Sequence, residues 1–107
     1  MLTIIVPVKN ESENLKPLFD YYSRNLTDIS FEVLIINDFS DDDTFINGKN
    51  LTSKVQNFKI LNNDSKGLGG AIRLGIKNAE GKYISIMMAD QSDDIEDLKK
   101  YHNLISS

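Results

Sequence analysis

Residues 2–8 read LTIIVPV (Leu2-Thr-Ile-Ile-Val-Pro-Val8), apolar at almost every position and followed at once by the polar Lys9-Asn10-Glu11. Two further runs share this character, Phe31 to Ile36 and Tyr83 to Met88, with a weaker one at Phe58 to Leu61. None alternates cleanly between apolar and polar. Continuous apolarity rich in Ile and Val suits strands covered on both faces, as in a parallel sheet between layers of helices.

The intervening segments carry helical spacing. Leu15, Leu18, Phe19, Tyr22 and Leu26 fall on one face of a helix. Pro17 is then expected near its first turns, where the amides lack intrahelical partners anyway. Leu68, Ala71, Ile72, Gly75, Ile76 and Ala79 form a second face. Residues 41–55 carry Phe45, Ile46 and Leu51, but Gly48 and several Asn weaken the pattern. Asp93 to Ile105 opens on an Asp93-x-x-Glu96 capping box and carries Ile95, Leu98, Tyr101 and Ile105. The order β-α-β-α-β-α-β-α predicts an α/β fold, a Rossmann-like three-layer α/β/α sandwich with a mostly parallel sheet. Right-handed crossovers in such a fold place ligands at the carboxyl ends of the strands.

Composition narrows the function. With 107 residues, 40% hydrophobic and 26% charged, the chain fits one globular domain over residues 1–107. A chain of this length buries only about two-thirds of its unfolded surface, so a partner or further segment would help its core. A net charge of -4 and the lack of any Lys/Arg run exclude the electrostatic footprint of a nucleic-acid binder. The absence of Cys excludes disulfides, thiolate catalysis and Cys-based zinc sites. The opening MLTIIVPVKNE is too short for a spanning helix and lacks a basic leader, so the expectation is a mature, soluble, cytoplasmic protein.

The polar residues gather at three strand ends, Pro7 to Glu11, Asn37 to Ser40, and Asp90 to Asp93. Neighbouring parallel strands lie about 4.8 Å apart, so these tips can surround one small ligand. Asn10 fits either a ligand contact or the N-cap of the first helix, with Glu13 completing a box. Asp41, Asp42 and Asp43 suit a helix start, where negative charge meets the positive end of the macrodipole. A calcium loop beginning at Asp38 is excluded, because its sixth position is Asp43 rather than Gly and its twelfth is Lys49 rather than Glu. Asp93 and Asp94 are also expected as caps. Asp90, before that cap, is placed to hold a divalent cation. The cluster Gly67-Leu-Gly-Gly70 satisfies neither the dinucleotide fingerprint nor the Walker loop, leaving a helix start of little bulk. Arg73, one turn into that helix, fits either a phosphate contact or a solvated surface charge, with the surface preferred, and His102 is expected at the surface.

Four segments taken in order resemble the nucleotide-sugar half of family 2 glycosyltransferases: Ile4-Ile-Val-Pro-Val-Lys-Asn-Glu11, Glu32-Val-Leu-Ile-Ile-Asn-Asp-Phe-Ser40, Gly67-Leu-Gly-Gly-Ala-Ile-Arg73 and Met88-Ala-Asp90. Within that family they resemble the polyprenyl-phosphate mannosyltransferase branch. The resemblance implies the glycosyltransferase A fold, a nucleotide-diphosphate sugar as donor, a Mg or Mn ion, and a polyprenyl phosphate or glycan as acceptor, with work at the cytoplasmic membrane face. It places Pro7, Asn10 and Glu11 against the nucleoside, Asp38 on the base, and Asp90 as the metal-binding acid of Asp-x-Asp. Two positions depart from the family pattern: Met88 replaces the first acid of Asp-x-Asp, and Asn37 the first Asp of Asp-Asp-x-Ser. The family's acceptor site and catalytic base lie beyond the matched region, so the chain is expected to stop before the acceptor half. A non-catalytic nucleotide-binding module is the alternative. A phospho-receiver is a weaker one, because it wants paired acids after the first strand.

Overall fold

The computed structural model describes residues 1–87. Its elements are β1 (Leu2–Val8), α1 (Ser12–Asn25), β2 (Phe31–Asn37), α2 (Thr44–Thr52), β3 (Phe58–Asn62), α3 (Leu68–Asn78) and β4 (Tyr83–Ile86). The four strands form one parallel sheet in the order β3-β2-β1-β4. The helix expected over Asp93 to Ile105, together with Met88 and Asp90, lies outside the described residues.

Central β1 is buried at every position, as its unbroken apolar run requires. Period-two alternation sends Ile4, Val6 and Val8 to a core shared with Leu15, Leu18 and Tyr22 of α1 and with Phe45 and Leu51 of α2. Ile5 faces the opposite layer, where it joins Leu34, Ile36 and Ala71 of α3. The sandwich therefore has three layers, as predicted. Among the described residues, no helix is long and apolar enough to cross a membrane.

Four local expectations are corrected. Pro17 is the sixth residue of α1, past the free amides of the first turn, so it removes the bond that position would make to the Glu13 carbonyl. In α3 the buried residues are Gly70, Ala71 and Gly75, while Leu68 and Ile76 are 53% and 50% exposed. A Cβ on Gly75 would stand 2.6 Å from the Ile5 side chain, so helix and sheet meet across small residues. In α2 the buried stripe is Thr44, Gly48 and Thr52 at i, i+4 and i+8. Gly48 lies directly against Ile60, so the glycine that weakened the helical pattern is what lets α2 reach the sheet. β4 is less covered than its apolar run suggested, with Ile84 and Ile86 exposed on the α3 side.

Candidate functional site

A parallel sheet in which β1 leads to β2 on one side and lies beside β4 on the other has its switch point between β1 and β4. Pro7 sits there. It is buried and pairs with Ile36, but it carries no N–H to offer β4. Among the described residues the β1–β4 ladder ends at Ile5↔Ile86, closed by the Met87 N–H donating to the Ile5 carbonyl at 2.9 Å. The next donor on that edge would be residue 7, and as proline it has no N–H to extend the ladder.

The loops after β1 and β2 are clasped together. Each contains one non-glycine residue in the left-handed region, Asn10 at φ 53° and Phe39 at φ 57°. The Asn10 N–H donates to Ser40 Oγ at 2.9 Å, and the Asp41 N–H donates to Asn10 Oδ1 at 2.7 Å. The Glu11 N–H donates to Thr44 Oγ1 at 3.1 Å, and the Ser12 N–H to Asp42 Oδ2 at 3.4 Å. The start of α1 is thus capped from the second loop, which overturns the box expected of Asn10 and Glu13. Glu11 is the N-cap residue and makes no side-chain cap bond; its carboxylate instead accepts from Asn14 Nδ2.

Asp42 bridges both helix starts, because its Oδ1 also accepts the Thr44 N–H at 3.0 Å and the Thr44 hydroxyl. That hydroxyl, more than any other group, holds the Asp42 carboxyl below its usual range. The capping role expected of the three acids after Ser40 falls to this one, since Asp43 makes no cap bond of its own.

Asp38 is built from the other side. The Gly67 N–H and Asn63 Nδ2 both donate to its Oδ1 at 3.0 Å. Gly67 adopts φ 110°, which only glycine takes without strain, and so turns its amide toward the carboxylate ahead of α3. The Gly67 amide is the main cause of the lowered Asp38 pKa; Asn63, Lys9 and Lys66 add to it, and partial burial opposes them. A carboxylate oxygen has two lone pairs, so Oδ1 is filled. Oδ2 has no hydrogen-bond partner among the described residues.

Asn63 is 5% exposed, and its amide also donates to the Ser65 carbonyl at 2.6 Å. Beside it, Asn37 Nδ2 donates to Asn62 Oδ1 at 2.9 Å while Asn37 Oδ1 accepts from the Ser40 hydroxyl. A neutral amide at position 37 can donate to one loop and accept from the other; a carboxylate could only accept. The family departure at this position is therefore integrated in the structure.

Of the residues predicted for the site, Pro7, Asn10, Glu11 and Asp38 all lie at the carboxyl edge, on or next to the clasped loops. A cleft of about 470 Å³ includes Asn10, Glu11, Asp42 and Asp43 in its lining, whereas Asp38 faces β3 and α3. Among the described residues no group of three acids or histidines converges as metal ligands would. Sequence reasoning missed Asn63. The signal available for it was the pair Asn62-Asn63 at a fourth strand end, followed four residues later by glycine.

The model of glycosyl transferase family 2 matches residues 3–106. The chain belongs to this family. It is 34% identical over 89 residues to a dolichol-phosphate mannosyltransferase of Pyrococcus furiosus, a match covering 83% of this chain and 25% of that protein. Among solved structures, it superimposes on S. aureus TarS in complex with UDP-GlcNAc with a TM-score of 0.72 at 21% identity, over 95% of this chain and 31% of that one. It superimposes on a mannosyltransferase of Pyrobaculum calidifontis in complex with GDP-Man and Mn²⁺ with a TM-score of 0.74 at 20% identity, over 83% of this chain and 27% of the other. These likenesses agree with the parallel α/β fold. The chain spans about a quarter of the length of its Pyrococcus relative, so the family 2 motifs here are those of one portion of such proteins.

Proposed function

We propose that this family 2 chain is the donor-binding portion of a glycosyltransferase that moves a sugar from a nucleotide-diphosphate sugar to a lipid-phosphate or saccharide acceptor. The observation that carries this reading is Asp38, held at the carboxyl edge with one oxygen saturated and the other open. A carboxylate fixed in this way accepts an N–H from a nucleobase edge and needs no reorganisation to do so. Asn10 and Glu11 lie on the adjoining loop, and Pro7 lies at the end of β1 just before it, so in this reading these four form the nucleoside side of the site.

In the reaction, an acceptor oxygen bonds to the anomeric carbon from the face opposite the leaving group. The bond from that carbon to the diphosphate breaks, its electron pair stays on the diphosphate, and the sugar inverts. A Mg²⁺ or Mn²⁺ ion held by Asp90 would supply Lewis-acid neutralisation of the leaving charge. The Mn²⁺ of the Pyrobaculum neighbour supports this assignment. The dolichol-phosphate relative supports a polyprenyl phosphate as acceptor.

Titration with UDP- and GDP-sugars, with and without Mn²⁺, tests the proposal. Metal-dependent binding that is lost in Asp90→Ala and weakened in Asp38→Asn is expected. No nucleotide binding under any condition would refute it.

A further inference from the structure

Phe39 follows Asp38 directly and holds φ 57°. A bulky residue in the left-handed region is a genuine outlier, whereas Asn10, the other such residue, is of a type that tolerates it. Burial does not compensate Phe39, which is 47% exposed. Among the described residues its ring makes none of the aromatic or cation contacts that engage Phe19, Phe31, Phe45 and Phe58. Folding alone would favour glycine here. A strained residue of this kind persists where the strain serves a site.

Its neighbours indicate the ligand. Asp38 offers the open Oδ2 to an N–H donor. Leu68, next to the Gly67 that donates to Asp38, is also 53% exposed. Exposed apolar side chains therefore follow both partners of the hydrogen bond that fixes the acceptor. A planar ring with an N–H edge and π faces is the chemistry that uses both features.

We propose that Phe39 is a contact residue for the nucleobase of the donor, stacking on its face while Asp38 Oδ2 accepts from its edge. The inference rests on the reading of Asp38 as a nucleoside-binding residue.

Thermal melting together with titration by UDP and GDP in Mg²⁺ tests it, in wild type, Phe39→Gly, Phe39→Leu and Phe39→Trp. Base–aromatic stacking corresponds to roughly fivefold or more in affinity. Phe39→Gly is expected to melt at or above the wild-type temperature yet bind the preferred nucleotide at least about fivefold more weakly. Phe39→Leu, which keeps bulk without a π face, is expected to weaken binding in the same direction, and Phe39→Trp to retain it. Wild-type affinity in Phe39→Leu or Phe39→Gly would overturn the stacking role while leaving nucleotide binding intact. If wild type bound neither nucleotide, the nucleoside reading itself would fail, and this inference with it.

Discussion

Replacing Asn63 by Asp or Ala separates what the buried amide does for Asp38 from what it does for packing. Asn63 donates to Asp38 Oδ1 at 3.0 Å and to the Ser65 carbonyl at 2.6 Å, and accepts the Ser65 N–H at 3.2 Å. Asn63→Ala removes all of these. A bond to a charged acceptor is worth about 1.5–3 kcal/mol, taken at the lower end because Asp38 is half-exposed, and a neutral bond about 1 kcal/mol. The expected loss is about 2.5 kcal/mol, or about 10–20 °C in a domain of this size. Asn63→Asp keeps the shape and the acceptor but sets a second carboxylate beside the first. At pH 7 that adds on the order of 1–4 kcal/mol of repulsion. The pair holds one proton at a raised pKa, so this added penalty is present above that pKa and disappears as pH falls through it. Wild type behaves with the opposite sign. Asp38 has a folded pKa below its usual 3.8, so its stabilisation is present above that value and is lost as pH falls through the lower, folded one. Melting curves between pH 7 and pH 4 should therefore show Asn63→Asp converging on Asn63→Ala while wild type stays level, declining only under more acid conditions. A gap between the two variants that ignores pH would refute the contact between Asn63 and Asp38 as the source of the effect.

Further outcomes can be measured independently. Gly70→Ala would drive a Cβ to 1.9 Å from the Ser65 carbonyl oxygen and should cost about 3 kcal/mol by urea unfolding, while Gly69→Ala, whose nearest neighbour is 3.5 Å away, should gain about 0.5–1 kcal/mol. Equal effects at the two positions would contradict the close pass between α3 and the Ser65 loop. Pro17→Ala restores a donor for the Glu13 carbonyl and should raise stability by about 1–3 kcal/mol in the same assay. Glu32 is 4% exposed and accepts the Thr3 hydroxyl at 2.7 Å and the Glu80 N–H at 2.6 Å, at the amino edge of the sheet. Glu32→Ala should lower stability by about 2–4 kcal/mol and leave nucleotide affinity within twofold, which calorimetry can check.

Strands were legible because a doubly covered strand is apolar throughout, and Leu2–Val8 is buried at every position. Helix α1 was legible too, its Leu15, Leu18 and Tyr22 being both periodic and buried. The faces of α2 and α3 were not. Their contact with the sheet runs through Thr44, Gly48 and Thr52 and through Gly70, Ala71 and Gly75, whose small size is the requirement and leaves no mark on hydropathy. At the site, charge drew attention to the acids, yet the groups that position them are amides. Asn63 matters to Asp38 only because β3 lies beside β2 in the register Asn37↔Asn62, a fact of tertiary pairing that spacing along the chain does not carry.

Charge also limits how a donor can lie across this edge. The cleft at the starts of α1 and α2 is lined by Glu11, Glu13, Asp42 and Asp43, and among the described residues no Lys or Arg lies in its wall. A diphosphate placed there would meet like charge at short range. Lys9 and Lys66 both lower the Asp38 pKa through their charge, so positive charge near Asp38 would be available to a diphosphate without an added cation. The two paths differ in what they require. Over the acidic cleft, binding must rise steeply with Mg²⁺ and a nucleoside without phosphates must bind as well without it as with it. Along the lysine side, Mg²⁺ would matter less and salt would weaken binding of the diphosphate more than of the nucleoside. Titrating a nucleoside and its diphosphate in parallel, across Mg²⁺ and ionic strength, distinguishes them. The metal-dependent binding expected of the proposed donor site corresponds to the first path, and a weak dependence on Mg²⁺ with a strong dependence on salt would instead assign the diphosphate to the lysines beside Asp38.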